Sequence, residues 1–400
     1  MGTSEMTQPT TTQAEATPPP LEPLIYDLGA PGRTGVTLPQ VDVPEAPLPE
    51  DLLRSDLDLP EVSEMDAVRH FVRLSQLNHS IDTGFYPLGS CTMKYNPKLN
   101  EDMARLPGFA LAHPLQDPTA TQGALALMYT LQQWLAEISG MKAATLQPAA
   151  GAQGEFAGIL MIRAYHLANG EAHRTKIIVP DSAHGTNPAT TAMAGLEVVE
   201  IPSDENGDVD LDKLNEVCGD DVAGMMITVP NTLGVFETRI KEIVDVIHGC
   251  GGLMYMDGAN MNAMLGVAKP ADLGFDVMHY NLHKTFSTPH GGGGPGSGPV
   301  AVGEKLAPFL PGPIVTVLEE GDDDVPPLYG LTMPEQSIGR LKAFWGNFGM
   351  LVRAFAYIAT YGAQGLRDVT NHAVLNANYI RARLKGVYPM PFDRMCGHEF

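Results

Sequence analysis

The stretch GGLMYMDGAN, Gly251 to Asn260, decides the fold expected for this chain. It reads as a short apolar β-strand that ends on a carboxylate, Asp257, followed by the small residues Gly258 and Ala259. A strand that is apolar along nearly its whole length is typical of a parallel sheet covered on both faces. Because ligands collect beyond the carboxyl ends of such strands, Asp257 and Ala259 are candidates for a site that admits a flat ring.

Four further segments of this kind alternate with stretches of helix length, such as RIKEIVDVIHGC. They are KIIV (Lys176 to Val179), LEVVEI (Leu196 to Ile201), GMMITV (Gly224 to Val229) and DVMHYN (Asp276 to Asn281). Strands that alternate with helices favour an α/β fold with a mostly parallel central sheet flanked by helices. We therefore expect one large α/β domain over residues 121–325.

The segments outside this domain have different patterns. Residues 1–22 are rich in Thr and Pro and predict a disordered tail, and residues 23–120 predict an N-terminal arm followed by helices, one of them beginning at Ser63. QGALALMYTLQQWLAEISG predicts a helix that stops at Gly140. Residues 326–400 predict a smaller, incomplete C-terminal domain. Helical signals there run from about Gln336 to Leu384 as two helices, and the final CGHEF resembles the start of a strand.

Composition narrows the class of function. A formal net charge of −22 argues against nucleic acid or an anionic membrane as the main partner, because either would need a basic surface. No apolar run reaches the roughly 18 residues of a membrane span. The four cysteines, Cys91, Cys218, Cys250 and Cys396, show no metal-ligand spacing, so we expect reduced thiols, no metal and a cytoplasmic enzyme.

Other polar signals fall at the same predicted sheet edge. His184 follows the KIIV strand in VPDSAHGTNPA, and His283 and Lys284 follow the DVMHYN strand. AAGAQGEFAG places Gly151 to Gly154 at a helix start, where free N–H groups and the helix dipole favour an anion. Pyridoxal phosphate (PLP) needs such a set: an amine for attachment, a carboxylate for the pyridine nitrogen, a ring-face residue and a phosphate site.

Each of these signals has an ordinary explanation when it is taken alone. Lys284 could be a surface charge, Asp257 a helix cap, and His184 and His283 structural histidines of loops. The glycine run Gly291 to Gly294 could be a flexible linker, although a loop on which backbone or cofactor packs closely is the preferred interpretation. Their shared position and order in the chain favour the functional interpretation of the set.

The strings that carry these residues resemble one family. From about Pro23 to Phe400 the chain resembles the PLP-carrying subunit of the glycine decarboxylase P-protein, a component of the glycine cleavage system. The resemblance rests on FYPLGSCTMKYNPKLNE, LQPAAGAQGE, VPDSAHGTNPA, PNTLGVFE, YMDGANMNAMLG and NLHKTFSTPHGGGGPGSGP. It implies a PLP-dependent enzyme of fold-type I.

The resemblance also implies roles for individual residues. Lys284 would form the Schiff base with PLP, Asp257 would pair with the pyridine nitrogen, and His184 would stack on the ring. His283 is a candidate to donate a proton or to position the substrate carboxylate. The remaining candidate cofactor contacts are Ala150, Gly151 and Ala152 at the phosphate, Asn231 of PNTLG at the cofactor hydroxyl, and Ala259 beside the ring.

The activity implied by the resemblance is the oxidative decarboxylation of glycine, with transfer of the aminomethyl group to the lipoyl arm of H-protein. The implied partner is subunit 1 of the P-protein, in an α2β2 assembly. Two other readings stay open from the sequence. An enzyme like serine hydroxymethyltransferase or threonine aldolase also carries HKT before a Gly/Pro-rich loop, and a catalytically silent subunit could bind the cofactor for structure alone.

Overall fold

The structure is a computed structural model that describes residues 21–54, 56–84, 95–290 and 296–400. The chain forms two compact units, Met1–Gly84 and Phe85–Phe400. The helices are α1 Glu64–Gln76, α2 Lys98–Ala104, α3 Pro107–Ala110, α4 Gln122–Ser139, α5 Gly151–Ala168, α6 Thr186–Met193, α7 Leu211–Val217, α8 Ile240–Gly249, α9 Pro270–Leu273 and α10 Phe348–Leu384. The strands are β1 Ala143–Thr145, β2 Lys176–Pro180, β3 Glu197–Ile201, β4 Val222–Thr228, β5 Leu253–Gly258, β6 Val277–Tyr280, β7 Val300–Val302, β8 Ile314–Glu319 and β9 Leu328–Thr332.

Seven strands form the central sheet of the second unit, in the order β1-β7-β6-β5-β4-β2-β3. The neighbours from β3 to β6 are parallel, whereas β7 runs antiparallel to both β6 and β1. The five strands predicted from sequence are therefore all present and form the parallel part. The strands β1 and β7 were missed because three-residue strands carry almost no periodic signal. The separate β8-β9 hairpin was also not predicted.

The sheet buries apolar side chains on both faces, as its sequence pattern predicts. Along β5, Met254 and Met256 join the cluster that contains residues of α4, α8 and α10, whereas Leu253 and Tyr255 join the cluster around α5. This alternation follows from the two-residue period of a strand. Two apolar layers therefore enclose the central strands, and the mostly parallel α/β fold is confirmed.

Helix α5 crosses the sheet at very close range. A Cβ atom at Gly158 would overlap the ring of Tyr255 on β5, and one at Gly154 would lie 2.6 Å from the carbonyl oxygen of Gly298. Both positions therefore require glycine if the helix is to keep this distance from the strands. The approach fixes the N-terminal end of α5 above the carboxyl ends of the parallel strands.

The helices at the other face agree with the sequence prediction in most respects. Gly140 ends α4 with a φ of 72° in the left-handed region, as the sequence predicted. Helix α10 is interrupted at Gly362, which has φ 59° and ψ −175°, so two helical segments follow one another as expected. The stacked rings of Trp134 and Phe355, with centroids 4.6 Å apart, join α4 to α10.

The C-terminal segment corrects two details of the prediction. Helical structure begins at Phe348 rather than near Gln336, because Pro334, Gly339 and Gly346 interrupt the chain before it. Residues 396–400 form no strand. The backbone N–H of Gly397 instead donates to the carbonyl oxygen of Gly234 at 2.7 Å.

The predicted domain boundaries stay predictions, but α2 is tied to the second unit. Arg353 of α10 donates two hydrogen bonds to Glu101 of α2, at 2.8 and 2.7 Å. These bonds lower the pKa of Glu101. Residues 95–120 therefore belong with the second unit, although the sequence groups them with the N-terminal arm.

In the first unit, α1 begins where it was predicted. The Ser63 hydroxyl accepts a hydrogen bond from the Asp66 N–H at 3.2 Å and so caps the helix. Glu22 accepts bonds from Arg73 and lies 3.0 Å from His70, and these contacts lower its pKa to about 2. The expectations for the tail 1–22, for Cys91 and for Gly291 to Gly294 fall wholly or almost wholly outside the described residues.

The cysteine prediction is wrong for one pair. Cys218 and Cys250 are joined as a disulfide, with Cα atoms 6.3 Å apart. Cys218 follows α7 and Cys250 follows α8, so their proximity arises from the packing of two helices and not from any spacing in the sequence. Cys396 is a buried free thiol. Among the described residues, no helix combines the length and apolar character needed to cross a membrane.

The contact between α5 and β5 gives a direct test of the packing. We expect Gly158→Ala to lower the free energy of unfolding by about 1–3 kcal/mol, because the added methyl group would overlap the Tyr255 ring. Urea denaturation would measure the loss. Gly123→Ala is the matched control, because Gly123 also lies in a helix but has open space around it. Equal stabilities for the two variants would contradict the close packing.

Candidate active site

The carboxyl ends of three adjacent strands bring polar side chains into register. Thr228 of β4 pairs with Asp257 of β5, and Asp257 pairs with His279 of β6. The side chains of Asp257 and His279 are buried, and Asp257 Oδ1 lies 3.5 Å from His279 Nε2. Asp257 therefore ends a buried strand, as the sequence predicted.

Asp257 is an ionised carboxylate in a buried setting. Burial acts to raise its pKa, but the nearby His279 ring opposes this effect. The N–H of Ala259 donates to Oδ1 at 3.0 Å, and Asn187 Nδ2 donates to Oδ2 at 3.1 Å. Together with the charge of Lys284, these groups hold the pKa of Asp257 below its ordinary value. The carboxylate therefore stays charged at neutral pH.

The phenol of Tyr255 fixes the position of the buried His279 ring. Burial, with added repulsion from the Glu155 and Asp257 charges, raises the pKa of Tyr255 well above its ordinary range. The phenol therefore remains protonated, and its oxygen forms a 2.7 Å hydrogen bond with His279 Nδ1. The other ring nitrogen, Nε2, faces Asp257.

Lys284 lies in a tight turn directly after β6. Its backbone N–H donates to the Asn281 carbonyl at 2.9 Å, and the turn closes at Ser287, whose φ of 56° is unusual for a residue other than glycine. Asn96 Nδ2 donates to the Ser287 carbonyl at 3.0 Å, and the Ser287 hydroxyl donates to the Tyr95 carbonyl at 3.1 Å. These bonds fix the backbone that carries the lysine.

The start of α5 faces the same region. Its N-cap, Ala150, has extended backbone and supplies no side-chain cap, so N–H groups of the first turn have no partner within the helix. A side chain at Gly151 would overlap the Asn281 amide. Gln153 is committed elsewhere: its Oε1 accepts from the Ala149 N–H at 2.7 Å and its Nε2 donates to the Leu341 carbonyl at 3.0 Å.

A single cavity of about 320 Å³ collects these groups. Its lining includes eight of the nine site residues predicted from sequence, namely Ala150, Gly151, Ala152, His184, Asp257, Ala259, His283 and Lys284. His184 is exposed near the end of the loop between β2 and α6. The buried His283 ring lies against Gly296, and its centroid is 5.0 Å from that of His290.

The geometry does not support the cofactor contact predicted for Asn231. Its Nδ2 donates to the Gly207 carbonyl at 2.8 Å, and its Oδ1 accepts from the N–H groups of Leu233 and Val235 at 3.0 and 3.1 Å. The amide therefore braces its own loop and ties it to the turn at Gly207, and Asn231 does not line the cavity with Lys284. Such loop-internal bonds are common for Asn in turns, and a sequence string cannot distinguish them from ligand contacts.

Several cavity residues were not singled out from sequence. They are Glu155, Thr186, Thr228, Thr232, His398 and Glu399. Glu155 and Thr186 lie within strings that were quoted for their neighbours, and His398 and Glu399 belong to the segment expected to begin a strand. A polar residue inside an apolar helix, as Glu155 is in α5, is the one available sequence signal.

A second possible use of this region is metal binding. The side chains of Glu155, Asp257 and His279 are buried and each offers a ligand atom, all within 4.8 Å of one another. The Asn187 amide donates to both carboxylates, at 3.0 and 3.1 Å. Two N–H groups thus already provide the positive partner that a cation would supply, and the set does not require a metal.

The same residues fit PLP. Asp257 is an ionised acceptor for a protonated ring nitrogen, Lys284 supplies an amine, and the α5 start offers N–H groups to a phosphate. The cavity volume is at the lower end of the range for small-molecule sites. This fit rests on the buried, ionised carboxylate of Asp257. A protonated ring nitrogen would offset the cost of burying that charge, whereas a neutral ligand nitrogen would not.

Solved structures share this architecture. An inhibitor-bound glycine decarboxylase (P-protein) of the glycine cleavage system superposes with a TM-score of 0.72 at 23% identity, covering 87% of this chain and 79% of that one. Oryza sativa TDC, solved with PLP and tryptamine, gives a TM-score of 0.57 at 15% identity, covering 84% and 72%. The fold is that of fold-type I PLP-dependent enzymes.

The family follows from the sequence comparisons. The family model of the glycine cleavage system P-protein matches residues 40–394. A probable glycine dehydrogenase (decarboxylating) subunit 2 of Halalkalibacterium halodurans is 57% identical over 383 residues, which is 94% of this chain and 77% of that protein. The chain belongs to the glycine cleavage system P-protein family.

The charge of Asp257 predicts a specific pH dependence of stability. Its folded-state pKa lies below 3.8, so the ionised carboxylate stabilises the fold above the unfolded-state pKa, and this contribution is lost as the pH falls through the folded-state pKa. We expect the parent to exceed Asp257→Asn in unfolding free energy by a constant amount from neutral pH to about 5, and by less below about 4.

Urea denaturation at a series of pH values would measure this difference. Asp245→Asn, at an exposed position of α8, is the control and is expected to have little effect throughout. A gap between parent and Asp257→Asn that grows with acidification would show that the carboxyl group is neutral in the folded protein.

Proposed function

We propose that this chain is the PLP-carrying subunit of a glycine decarboxylase, which releases CO2 from glycine and passes the aminomethyl group to the lipoyl arm of H-protein. The observation that carries the proposal is the placement of Lys284 and the ionised Asp257 in one cavity. Its relatives, 57% identical, are named probable glycine dehydrogenase (decarboxylating) subunit 2. Because these relatives are named subunit 2, a partner chain is expected, namely subunit 1 of the P-protein.

Four groups of the chain would hold the cofactor. Lys284 would carry PLP on its amine, and Asp257 would bind the pyridine nitrogen and keep a proton there. The first N–H groups of α5, from Gly151 onward, would bind the phosphate, and His184 would lie against the ring. Ala259 has no side chain beyond Cβ, and so it leaves room for a flat ring beside Asp257.

When bound, PLP supplies an electron sink for the electron pair that the departing carboxyl group leaves on the α-carbon of glycine. The chain's residues supply the conditions for this step. Asp257 would hold the proton on the ring nitrogen that makes the sink effective, because its own low pKa disfavours taking that proton back. Lys284 would hold the cofactor through its amine and give up that place to the amino group of glycine.

His283 is the proposed proton-handling group next to Lys284. Its buried ring lines the cavity and lies against Gly296, which has no side chain to displace it. In this position it would hold a proton or orient the glycine carboxylate.

In the transfer step, the aminomethyl carbon would form a C–S bond with one sulfur of the lipoyl disulfide while the S–S bond breaks. The other sulfur would become a thiol, so the disulfide is the oxidant.

The lysine assignment is tested by Lys284→Ala. We expect this variant to fold, to lose the borohydride-reducible adduct with PLP, and to lose exchange of labelled bicarbonate into the glycine carboxyl group down to background. The assay contains lipoylated H-protein and subunit 1 of the P-protein. Lys305→Ala is the control, because Lys305 is half exposed and pairs with Asp276 outside the cavity.

The same assay separates the rival functions. Carboxyl exchange that requires lipoylated H-protein supports the proposal. Turnover of glycine that depends on tetrahydrofolate, with no carboxyl exchange, would instead indicate an enzyme like serine hydroxymethyltransferase. Exchange that survives in Lys284→Ala would remove the lysine from the mechanism, and a parent protein that binds PLP without exchange would indicate a silent subunit.

A further inference from the structure

Glu155 is a buried carboxylate that the mechanism above does not use. Its residue surface is 4% exposed, and it accepts hydrogen bonds from Thr186 Oγ1 at 2.7 Å and Asn187 Nδ2 at 3.0 Å. The Thr190 hydroxyl lies 2.9 Å from Oε2 and also contacts the Thr186 carbonyl, and its single proton can serve only one of these two acceptors. All three residues belong to α6. Within the described part of the chain, no lysine or arginine forms an ion pair with it. Because a buried carboxylate is costly without a countercharge, its position calls for an explanation.

One oxygen of Glu155 leads to His184. Thr186 Oγ1 lies 2.7 Å from Glu155 Oε1 and 2.7 Å from His184 Nδ1. An ionised carboxylate can only accept, and the hydroxyl has one proton, so Thr186 donates to Glu155 and accepts from an Nδ1–H group.

A competing contact would reverse this proton assignment. The Thr186 N–H lies 3.2 Å from the same Nδ1 of His184, which would require Nδ1 to accept. The contact of His184 with the Thr186 hydroxyl is shorter than this one, and it continues to the charged Glu155. Hydrogen bonds that involve a charged group are the stronger ones, so we assign the proton to Nδ1.

The other oxygen leads to Asp257. Asn187 Nδ2 donates to Glu155 Oε2 at 3.0 Å and to Asp257 Oδ2 at 3.1 Å, so both amide protons lie between two buried carboxylates. The reversed amide would place its oxygen against both acids. The orientation of Asn187, and with it the donor to Asp257, therefore depends on the charge of Glu155.

We propose that Glu155 is a positioning residue that, through Thr186, fixes the Nδ1 proton of His184 and, through Asn187, orients the donor to Asp257. The inference rests on the proposed function, because His184 and Asp257 are the groups that would hold the PLP ring at its face and at its nitrogen. One buried charge thus determines two contacts on different sides of the same ligand.

Glu155→Gln is the sharpest change because it keeps the shape and removes the charge. If the glutamine NH2 faces Thr186, the hydroxyl must accept from it and donate to His184 Nδ1, which moves the histidine proton to Nε2. If the NH2 instead faces Asn187, two donors oppose each other and the Asn187 amide turns from Asp257. Either orientation breaks one of the two connections.

The experiment titrates the apo forms of the full chain with PLP and follows the visible absorbance of the lysine-bound cofactor, first at one pH and then across a pH series. We expect Glu155→Gln to raise the Kd for PLP roughly tenfold or more, the change for losing a hydrogen bond to a charged group. The pH midpoint of the absorbance change should fall, because a negative charge near the protonated cofactor is lost.

Two variants on α6 separate the connections. Thr186→Val cuts the path to His184 and keeps the charge, so the Kd should rise while the pH midpoint stays near that of the parent. Thr191→Val is the matched control: Thr191 lies on the same helix, is buried, and donates to the Asn187 carbonyl at 3.0 Å without touching Glu155. It should bind PLP within about twofold of the parent.

The outcomes distinguish this inference from the proposed function. A parent chain that takes up no PLP overturns the proposed function, and the inference with it. A parent that binds PLP on Lys284, together with a folded Glu155→Gln that matches its Kd and pH midpoint, overturns the inference alone. If Glu155→Gln does not fold, as judged by circular dichroism, Thr186→Val decides, and an unchanged Kd in that variant rejects the positioning role.

Discussion

The structure depends on one ionised carboxylate, Asp257, that is buried away from water at the end of a parallel strand. Burial opposes the charge, and groups from three directions offset this effect: the Ala259 N–H and the Asn187 amide donate to the carboxylate, and the His279 ring lies 3.5 Å from it. Each group comes from a different element, so the charge can exist only when the strands and α6 have assembled. The site is thus a product of the whole fold rather than of one loop.

Small residues make that assembly geometrically possible. Without side chains at Gly154 and Gly158, α5 can lie on β5 and on the Gly298 backbone. This approach places the helix start beside Asp257, and it also fits the ring of Tyr255, whose hydroxyl orients His279. The glycines of α5 therefore position the charged and polar groups of the site by allowing close packing. This role is additional to any contact that the start of α5 makes with a phosphate.

The sequence predicted the features that depend on short stretches of neighbouring residues. Five strands of the sheet, the Gly140 helix stop and the order of Asp257 and Lys284 all follow from short patterns with a clear physical cause. The contacts of Asn231, the pairing of Cys218 with Cys250 and the triangle of Glu155, Asn187 and Asp257 arise between elements far apart in the chain. No spacing rule encodes them, because they depend on how helices seat on the sheet.

The segment around Gly397 forms one wall of the cavity, and Asn378 of α10 holds its start through two hydrogen bonds to the Cys396 backbone. His398 and Glu399 line the cavity, and the backbone bond from Gly397 to Gly234 secures them to the loop after β4. Gly234 has a φ of 76°, and a Cβ there would collide with the Glu399 carbonyl. Because Gly234 has no side chain, the two backbones can be in direct contact at this point. A single methyl group there would push the segment of His398 and Glu399 outward and open the cavity to bulk water.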